Sequence, residues 1–185
     1  GNQLWDVRRQ QQRQIAEFPD IPLTGGVGGI SPDGKTLVVS IPQGIQVRSV
    51  DRPSETARFT AKSPGEVMSI AFSPVNQRVV ITARGSYCAV WELSEDGLQE
   101  KHKLLPSPKF GYYPYHPTAA QFSPDGRRVI AGGWYAAQMW DLDTNEVTHS
   151  WSLPGGTWPS FTADGRHVFM ANMNGTGYIL RLDPD

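Results

Sequence analysis

The sequence contains one cysteine, Cys88, in 185 residues. A single thiol cannot form a disulfide within the chain, so the composition gives no sign of an oxidising compartment. Cys88 stands in the apolar run CAVW, which predicts a small buried hydrophobic residue. No apolar run approaches the roughly 18 residues of a membrane span, and the first residues contain no apolar signal core. We therefore expect a soluble segment without membrane insertion, located in the cytoplasm.

An excess of charge of one sign is also lacking, since 17 Lys and Arg residues oppose 18 Asp and Glu residues, for a net charge of −1. Nucleic acids are bound largely through basic side chains, so no nucleic-acid partner is expected. The sequence has no G-x-S-x-G, H-E-x-x-H or G-x-x-x-x-G-K-[ST] motif, and its histidines are far apart. We expect no catalysis, no metal and no cofactor, although a fold can bring together catalytic residues that are far apart in sequence.

Glycine and proline are abundant, with 19 and 15 residues scattered between short apolar runs. A turn string recurs four times at spacings of 42, 50 and 39 residues: SPDG at 31–34, SPVN at 73–76, SPDG at 123–126 and TADG at 162–165. In such a string proline presets φ, Asp or Asn bonds to nearby backbone, and glycine takes the left-handed conformation. Each string therefore predicts a tight β-hairpin, and flanking runs such as RVVITA are rich in β-formers.

A second marker runs in phase with the turn strings: LWDV, VRSVD, VWEL, MWDLD and ILRLD, beginning at positions 4, 47, 90, 139 and 179. Two unrelated markers with one period of about 40 residues indicate a solenoid or a propeller. The period divides the chain into units 12–50, 55–93, 99–142 and 147–182, with 3–7 as the end of a preceding unit. Each unit predicts an outer strand, an inner strand and two further strands, which favours propeller blades of four strands.

The third unit combines FSPDG at 122–126 with WDLDT at 140–144, and this pairing resembles the WD-repeat family. The resemblance extends through essentially the whole chain and implies an all-β propeller with four consecutive four-stranded blades in one domain, 1–185. Propellers of that family usually have about seven blades. We therefore expect part of a larger propeller whose terminal blades expose their flanks, with a closed four-bladed ring as the alternative.

The family's buried hydrogen-bond network is poorly kept in this sequence. The turns between second and third strands (IPQG, RGSY, GWYA and NMNG) contain no Asp. The position of the family's tryptophan is held by Trp5, Arg48, Trp91, Trp140 and Leu180. Cohesion between blades is therefore expected to come mainly from apolar packing, with Trp5, Trp91 and Trp140 between blades.

The 50-residue spacing arises from a long loop, LPSPKFGYYPYHP, at 105–117. Its aromatic residues stand among four prolines, and rigid aromatic side chains are typical of binding hot spots. The resemblance implies that loops entering first strands and loops joining second to third strands emerge on one face. We therefore predict a partner-binding aromatic surface there, formed by Lys109, Phe110, Tyr112, Tyr113, Tyr115, His116, Trp134, Tyr135, Trp158, Arg84 and Tyr87, with Met173 nearby. The alternative, equally weighted, is that some of these rings fill the central channel or cap a blade.

The expected function is a non-catalytic scaffold that binds a protein or peptide partner, with the oligomeric state left open. One alternative is a docking or gating propeller of a larger enzyme, such as a hydrolase or a kinase-linked protein. SPDG hairpins also occur in the propellers of prolyl-oligopeptidase-like hydrolases and TolB-like proteins, although the Trp-Asp pairs at Trp5 and Trp140 favour the WD-repeat resemblance. A small-ligand or sugar site that uses the same aromatic residues is the third interpretation.

Overall fold

The computed structural model of the chain describes residues 2–6, 13–18, 27–42, 44–55, 58–62, 64–106 and 116–182. All regular secondary structure in these ranges is β-strand, and no helix here is long and apolar enough to cross a membrane. The strands are β1 (Asn2–Asp6), β2 (Arg13–Phe18), β3 (Gly28–Ile30), β4 (Thr36–Ile41), β5 (Gly44–Ser49), β6 (Phe59–Ala61), β7 (Val67–Phe72), β8 (Arg78–Ala83), β9 (Tyr87–Ser94), β10 (Gly97–Lys103), β11 (Pro117–Phe122), β12 (Arg128–Asp141), β13 (Glu146–Phe161), β14 (His167–Asn172) and β15 (Gly177–Arg181).

The strands form successive antiparallel sheets in which neighbours along the chain are also neighbours in the sheet. β1 and β2 form an N-terminal hairpin, β3 to β6 form the first sheet, and β7 to β10 form the second sheet. The remaining strands form a ladder in the order β11-β12-β13-β14-β15. This meander follows from the short turn strings, because antiparallel strands can be joined by only a few residues.

β12 and β13 are long, and each bends so that its two halves act as two separate strands of the ladder. The N–H of Leu142 donates to the carbonyl of Arg127 at 2.9 Å, so the two ends of β12 meet and the strand folds back on itself. In β13, residues 146–152 pair with β12, whereas residues 157–161 pair with β14. Gly155, with a φ of 82°, lies between the two halves. The ladder is therefore a third sheet (β11, β12 and the first half of β13) followed by a fourth (the second half of β13, β14 and β15).

Each turn string closes the hairpin between the first two strands of a sheet, as its residues predict. In the first sheet the hydroxyl of Ser31 donates to the carboxylate of Asp33 and accepts the N–H of Thr36 at 2.9 Å. Asp33 also accepts the N–H of Lys35 at 3.0 Å, and Gly34 has a φ of 73°. The bond from Ser31 holds the pKa of the Asp33 carboxyl below its ordinary value. The same contacts recur in the third and fourth sheets, at Ser123 with Asp125 and at Thr162 with Asp164.

Successive sheets meet through their first strands. β3 contacts β7, β7 contacts β11, and β11 contacts β13. Hydrogen bonds cross these contacts: the N–H of Ala120 donates to Ser69 Oγ at 3.2 Å, and the N–H of Phe161 donates to Gln121 Oε1 at 2.9 Å. The first strands thus lie side by side at the centre, and each sheet extends outward from them as a blade. The chain is an all-β propeller.

An apolar cluster fills the space between each pair of neighbouring sheets. In β8, Val79 and Ile81 pack toward the first sheet, whereas Val80 packs toward the third, because successive side chains of a strand point to opposite faces. All three are fully buried, and burial of one such side chain stabilises the fold by roughly 1.5–3 kcal/mol. A blade between two others therefore needs apolar residues at every position, which explains the continuous apolar runs and confirms that cohesion is mainly apolar.

The repeat marker also packs between blades, as predicted. Trp91 is 9% exposed in the cluster between the first and second sheets, and Trp140 is 1% exposed in the cluster between the second and third. Cys88 lies in the same cluster as Trp140, where burial raises the pKa of its thiol to about 12. The side chain of Trp5 lies outside the described residues. These positions confirm that Cys88 serves as a small buried hydrophobic residue.

Hydroxyl side chains at equivalent points of two second strands supplement the apolar packing. Ser40 Oγ accepts the N–H of Val27 at 2.9 Å. Thr82 Oγ1 lies 2.8 Å from Ser69 Oγ in the second sheet. Both bonds tie a second strand to the start of the neighbouring first strand. Part of a polar network is therefore present even though the expected Asp residues are missing.

Candidate binding face

The loops that enter first strands and the turns that join second to third strands lie at the same end of each sheet. Antiparallel pairing requires this, since the first residue of β7, Val67, is opposite the last residue of β8, Ala83. The same closeness appears in the fourth sheet, where the N–H of Met173 donates to the carbonyl of Gly156 at 2.9 Å. We call this end of the propeller the loop face, formed among the described residues by 27, 64–66, 84–86, 104–106, 116, 134–135, 155–156 and 173–175.

The turn in the middle of β12 places two aromatic side chains on the loop face. Trp134 and Tyr135 are 41% and 52% exposed, and their ring centroids are 6.3 Å apart with the planes tilted by 50°. Tyr135 has a φ of 69°, a left-handed conformation that costs an ordinary residue roughly 1–2 kcal/mol. Corresponding turns meet this need mainly with glycine, Gly85 in the second sheet and Gly175 in the fourth. The third sheet keeps an exposed tyrosine at a position that glycine would occupy without strain.

The next blade continues this apolar surface. Trp158 and Met173 are 44% and 61% exposed. Both lie beside Gly156, since a β-carbon at that glycine would be 3.5 Å from Met173 Sδ and 3.6 Å from Trp158 Cη2. Gly156 is in turn paired in register with Trp134. Trp158 and Met173 of one blade thus lie next to the strand partner of Trp134, which is followed by Tyr135 in the other blade. We call Trp134, Tyr135, Trp158 and Met173 the aromatic patch.

Both ends of the long loop are held by residues of the third sheet. At its start, Trp140 Nε1 donates to the carbonyl of Leu105 at 3.0 Å. At its end, the carbonyl of His116 lies against Gly133, where a β-carbon would come within 2.1 Å of that oxygen. Leu105 is 63% exposed, and its place at the first position of the insertion is the signal that could have added it to the predicted site. The glycine beside Trp134 thus allows the loop to return next to the aromatic turn.

Several predicted site residues lie in the loop itself. His116 is described and exposed, immediately before β11. The others lie outside the described residues: Lys109, Phe110, Tyr112, Tyr113 and Tyr115. Their part in the site stays a prediction.

The two predicted residues of the second sheet are engaged in contacts within that sheet. Arg84 is exposed and forms an ion pair with Glu66, Nε to Oε2 at 2.7 Å. The hydroxyl of Tyr87 donates to the Glu100 carboxylate and accepts from Trp91 Nε1 at 3.0 Å. Burial, followed by the bond to Glu100, raises the pKa of Tyr87 above its ordinary value. Tyr87 therefore links the third and outer strands of its own blade, whereas the aromatic patch belongs to the third and fourth sheets.

The described residues hold no group of three or more His, Cys, Asp and Glu side chains able to bind a metal ion. The exposed chemistry of the patch is instead aromatic and thioether. Such side chains bind through apolar contact and ring stacking, with the indole N–H and the phenol O–H as polar handles.

Comparisons with known proteins support the fold. No protein-family model matches the sequence, and none of the curated proteins matches it. Among solved structures, the chain is similar to the β-propeller domain of Cps50 (Swd1) from Myceliophteria thermophila, with a TM-score of 0.70 and 15% sequence identity. The match covers 85% of this chain and 52% of that domain, so the chain spans about half the length of the propeller it resembles. A likeness at this identity establishes the β-propeller fold.

Proposed function

We propose that this propeller is a non-catalytic interaction module that binds a protein or peptide on its loop face. The observation that carries the proposal is the exposure of Trp134, Tyr135 and Trp158 on the loop face of two neighbouring blades, where Trp134 is the strand partner of Gly156 and Trp158 lies beside that glycine. Soluble domains seldom leave large apolar side chains grouped at the surface without a use. The end of the long loop, His116, lies against Gly133 next to Trp134, and we propose that the aromatic residues of the loop join the same surface.

The backbone that carries the aromatic patch is rigid before any partner binds. Trp158 lies in the second half of β13, where it pairs with β14. Trp134 and Tyr135 form a two-residue turn within β12, and Trp134 pairs with β13. Strand pairing therefore holds the backbone of Trp158 and of this turn in place. Aromatic side chains fixed in this way lose little conformational entropy when a partner binds. The unfavourable φ of Tyr135 fits this role, because backbone strain is kept mainly where a side chain is needed.

A protein or peptide partner fits the chemistry better than a nucleic acid. The chain carries a net charge of −1, and Arg84, a cationic side chain of the loop face, is already paired with Glu66. Phosphate backbones are bound through unpaired positive charge. Apolar and aromatic side chains of a peptide would instead fill the surface between the third and fourth blades.

A random dodecapeptide display library selected on the immobilised chain tests the proposal. Selected peptides should bind the unaltered chain and lose binding to the double variant Trp134→Ala, Trp158→Ala. The matched control is Val75→Ser, which changes a 58% exposed apolar residue in a turn string at the opposite end of the sheets. Peptides that bind the double variant as well as the unaltered chain, but lose binding to Val75→Ser, would overturn the assignment of the loop face.

A carbohydrate is the second candidate ligand, since exposed indole rings such as Trp158 offer flat apolar faces for stacking. A glycan array probed with the same two variants separates the alternatives. Binding of glycans, sensitive to Trp158→Ala and unaccompanied by any selected peptide, would replace the protein-partner proposal with a sugar site.

A further inference from the structure

The first three blades bury the same pair of positions against the blade that follows. One member of the pair is in the second strand, seven residues after the first residue of the turn string, and the other begins the repeat marker of the third strand. All six side chains are at most 1% exposed: Val38 with Val47, Val80 with Val90, and Ile130 with Met139. Each pair belongs to the apolar cluster shared with the next sheet.

The fourth blade leaves this pair uncovered. By the same spacing the two positions are Phe169 and Ile179, which lie opposite each other in the register of β14 and β15. Phe169 is 44% exposed and Ile179 is 72% exposed. Gly177 lies beside them, with Phe169 Cε2 at 3.1 Å from the point where its β-carbon would be. We call Phe169, Gly177 and Ile179 the open flank.

The opposite side of β14 is packed as in the other blades. Val168 and Met170 alternate with Phe169 along β14, are fully buried, and lie in the cluster shared with the third sheet. One side of β14 is therefore packed against the third sheet, whereas the side that carries Phe169 is open. At the other end of the chain the corresponding space is filled, since Phe18 of β2 packs against Val39 and Val50 of the first sheet.

We propose that the open flank is the docking surface for a further propeller blade of the same repeat type. The surface continues the three interfaces already present, with the same positions and the same apolar chemistry. The propeller domain that the chain resembles is about twice as long as the matched part. This inference is independent of the proposed function, because the open flank lies on the side of the fourth blade and the aromatic patch on the loop face.

The three existing interfaces also define the chemistry that the occupant presents. Against Val80 and Val90, the third sheet places Val129 and Ala131 of its second strand and Trp140 of its third. A blade that covers Phe169 and Ile179 should likewise offer small apolar residues from a second strand and a large one from a third strand. A flat aromatic peptide or a small ligand would leave much of this face exposed.

Thiol labelling of the natural-length protein tests this inference. Cys88 is 1% exposed, so a cysteine introduced on the surface should react with little background. Ile179→Cys probes the open flank, and Met173→Cys, 61% exposed on the loop face of the same blade, is the matched control. Cysteine at 179 should be labelled at least about tenfold more slowly than cysteine at 173, since reaction then requires the covering blade to open.

Two outcomes would overturn the proposal. Equal labelling rates at 179 and 173 would show that no blade covers the open flank. Protection of position 179 that disappears on dilution would show that a second copy of the protein covers it instead. Phe169→Cys gives an independent measurement at the same face, and a thermal unfolding curve for each variant confirms that the labelled protein is folded.

Discussion

Trp140 Nε1 donates a 3.0 Å hydrogen bond to the carbonyl of Leu105, a residue 35 positions earlier in the chain. The indole is buried between the second and third blades, while Leu105 begins the long loop. One side chain of the repeat marker therefore packs the propeller and also fixes the start of the insertion. Packing and presentation of the loop are coupled through this bond.

Trp140→Phe should separate these two roles, because it keeps a large ring in the cluster and removes the N–H donor. We expect a loss of about 1–3 kcal/mol in unfolding free energy, together with faster amide hydrogen exchange at residues 104–106. Trp91→Phe is the control, since its indole bonds to Tyr87 within the second sheet. Equal exchange at 104–106 in both variants would contradict the anchoring role.

Tyr135→Gly should stabilise the fold and weaken partner binding. Glycine adopts the φ of 69° without strain, so we expect a gain of about 1 kcal/mol in unfolding free energy. Ser86→Gly is matched, because Ser86 has a φ of 66° in the corresponding turn of the second sheet. It should stabilise comparably and leave binding of the selected peptides unchanged. Chemical denaturation and peptide titration of both variants check this, and a destabilised Tyr135→Gly variant would refute the strain argument.

Gly133→Ala should displace the end of the long loop. A β-carbon at Gly133 would lie 2.1 Å from the carbonyl oxygen of His116, so one of the two backbones must move. We expect a loss of several kcal/mol, at the large end of the range for single substitutions. Gly28→Ala is a milder comparison, because its nearest contact would be 3.3 Å. If both substitutions cost the same, the close approach of His116 is not needed for the fold.

Acid should weaken the turn strings. Hydrogen bonds from Ser31 and Thr162 lower the pKa values of Asp33 and Asp164 from the ordinary 3.8. Their contribution to stability is therefore fully present above pH 3.8 and is lost as the pH falls through the lower folded values. Unfolding free energy measured between pH 5 and pH 2, about the range in which Asp titrates, should fall less steeply in Asp33→Asn with Asp164→Asn. Ser31→Ala should reduce the slope in the same direction, and an unchanged slope in both would contradict this origin.

The repeated elements could be predicted from the sequence because their residues determine local geometry. Gly34 and Gly126 take positive φ where the turn strings require it, and Trp91 and Trp140 are buried where the marker recurs. Departures from the repeat were not predictable in this way. Ile179 and Met139 occupy equivalent positions and are both apolar, yet one is 72% exposed and the other fully buried. Exposure at this position depends on the neighbouring blade, which the local residues do not specify.

In the candidate site, too, some features could be predicted from the sequence and others could not. The resemblance predicted that Trp134, Tyr135 and Trp158 share one face. The structure pairs Trp134 with Gly156 and places Trp158 beside that glycine, and the binding role of these residues stays a prediction. The positive φ of Tyr135 was not predicted, although the tip of the GWYA turn, Trp134 and Tyr135, contains no glycine. The hydroxyl of Tyr87 donates to Glu100 on the next strand, so no pattern within the turn that precedes Tyr87 indicates this bond.

The dissociation constant of the tightest selected peptide, measured by calorimetry, tests the central claim that the loop face binds partners. Trp134→Ala should raise that constant about 30-fold, the effect of removing a hot-spot residue worth about 2 kcal/mol. Val75→Ser at the opposite end of the blades should leave it unchanged. An affinity that survives Trp134→Ala and Trp158→Ala together, in a variant that unfolds at the wild-type temperature, would contradict the account.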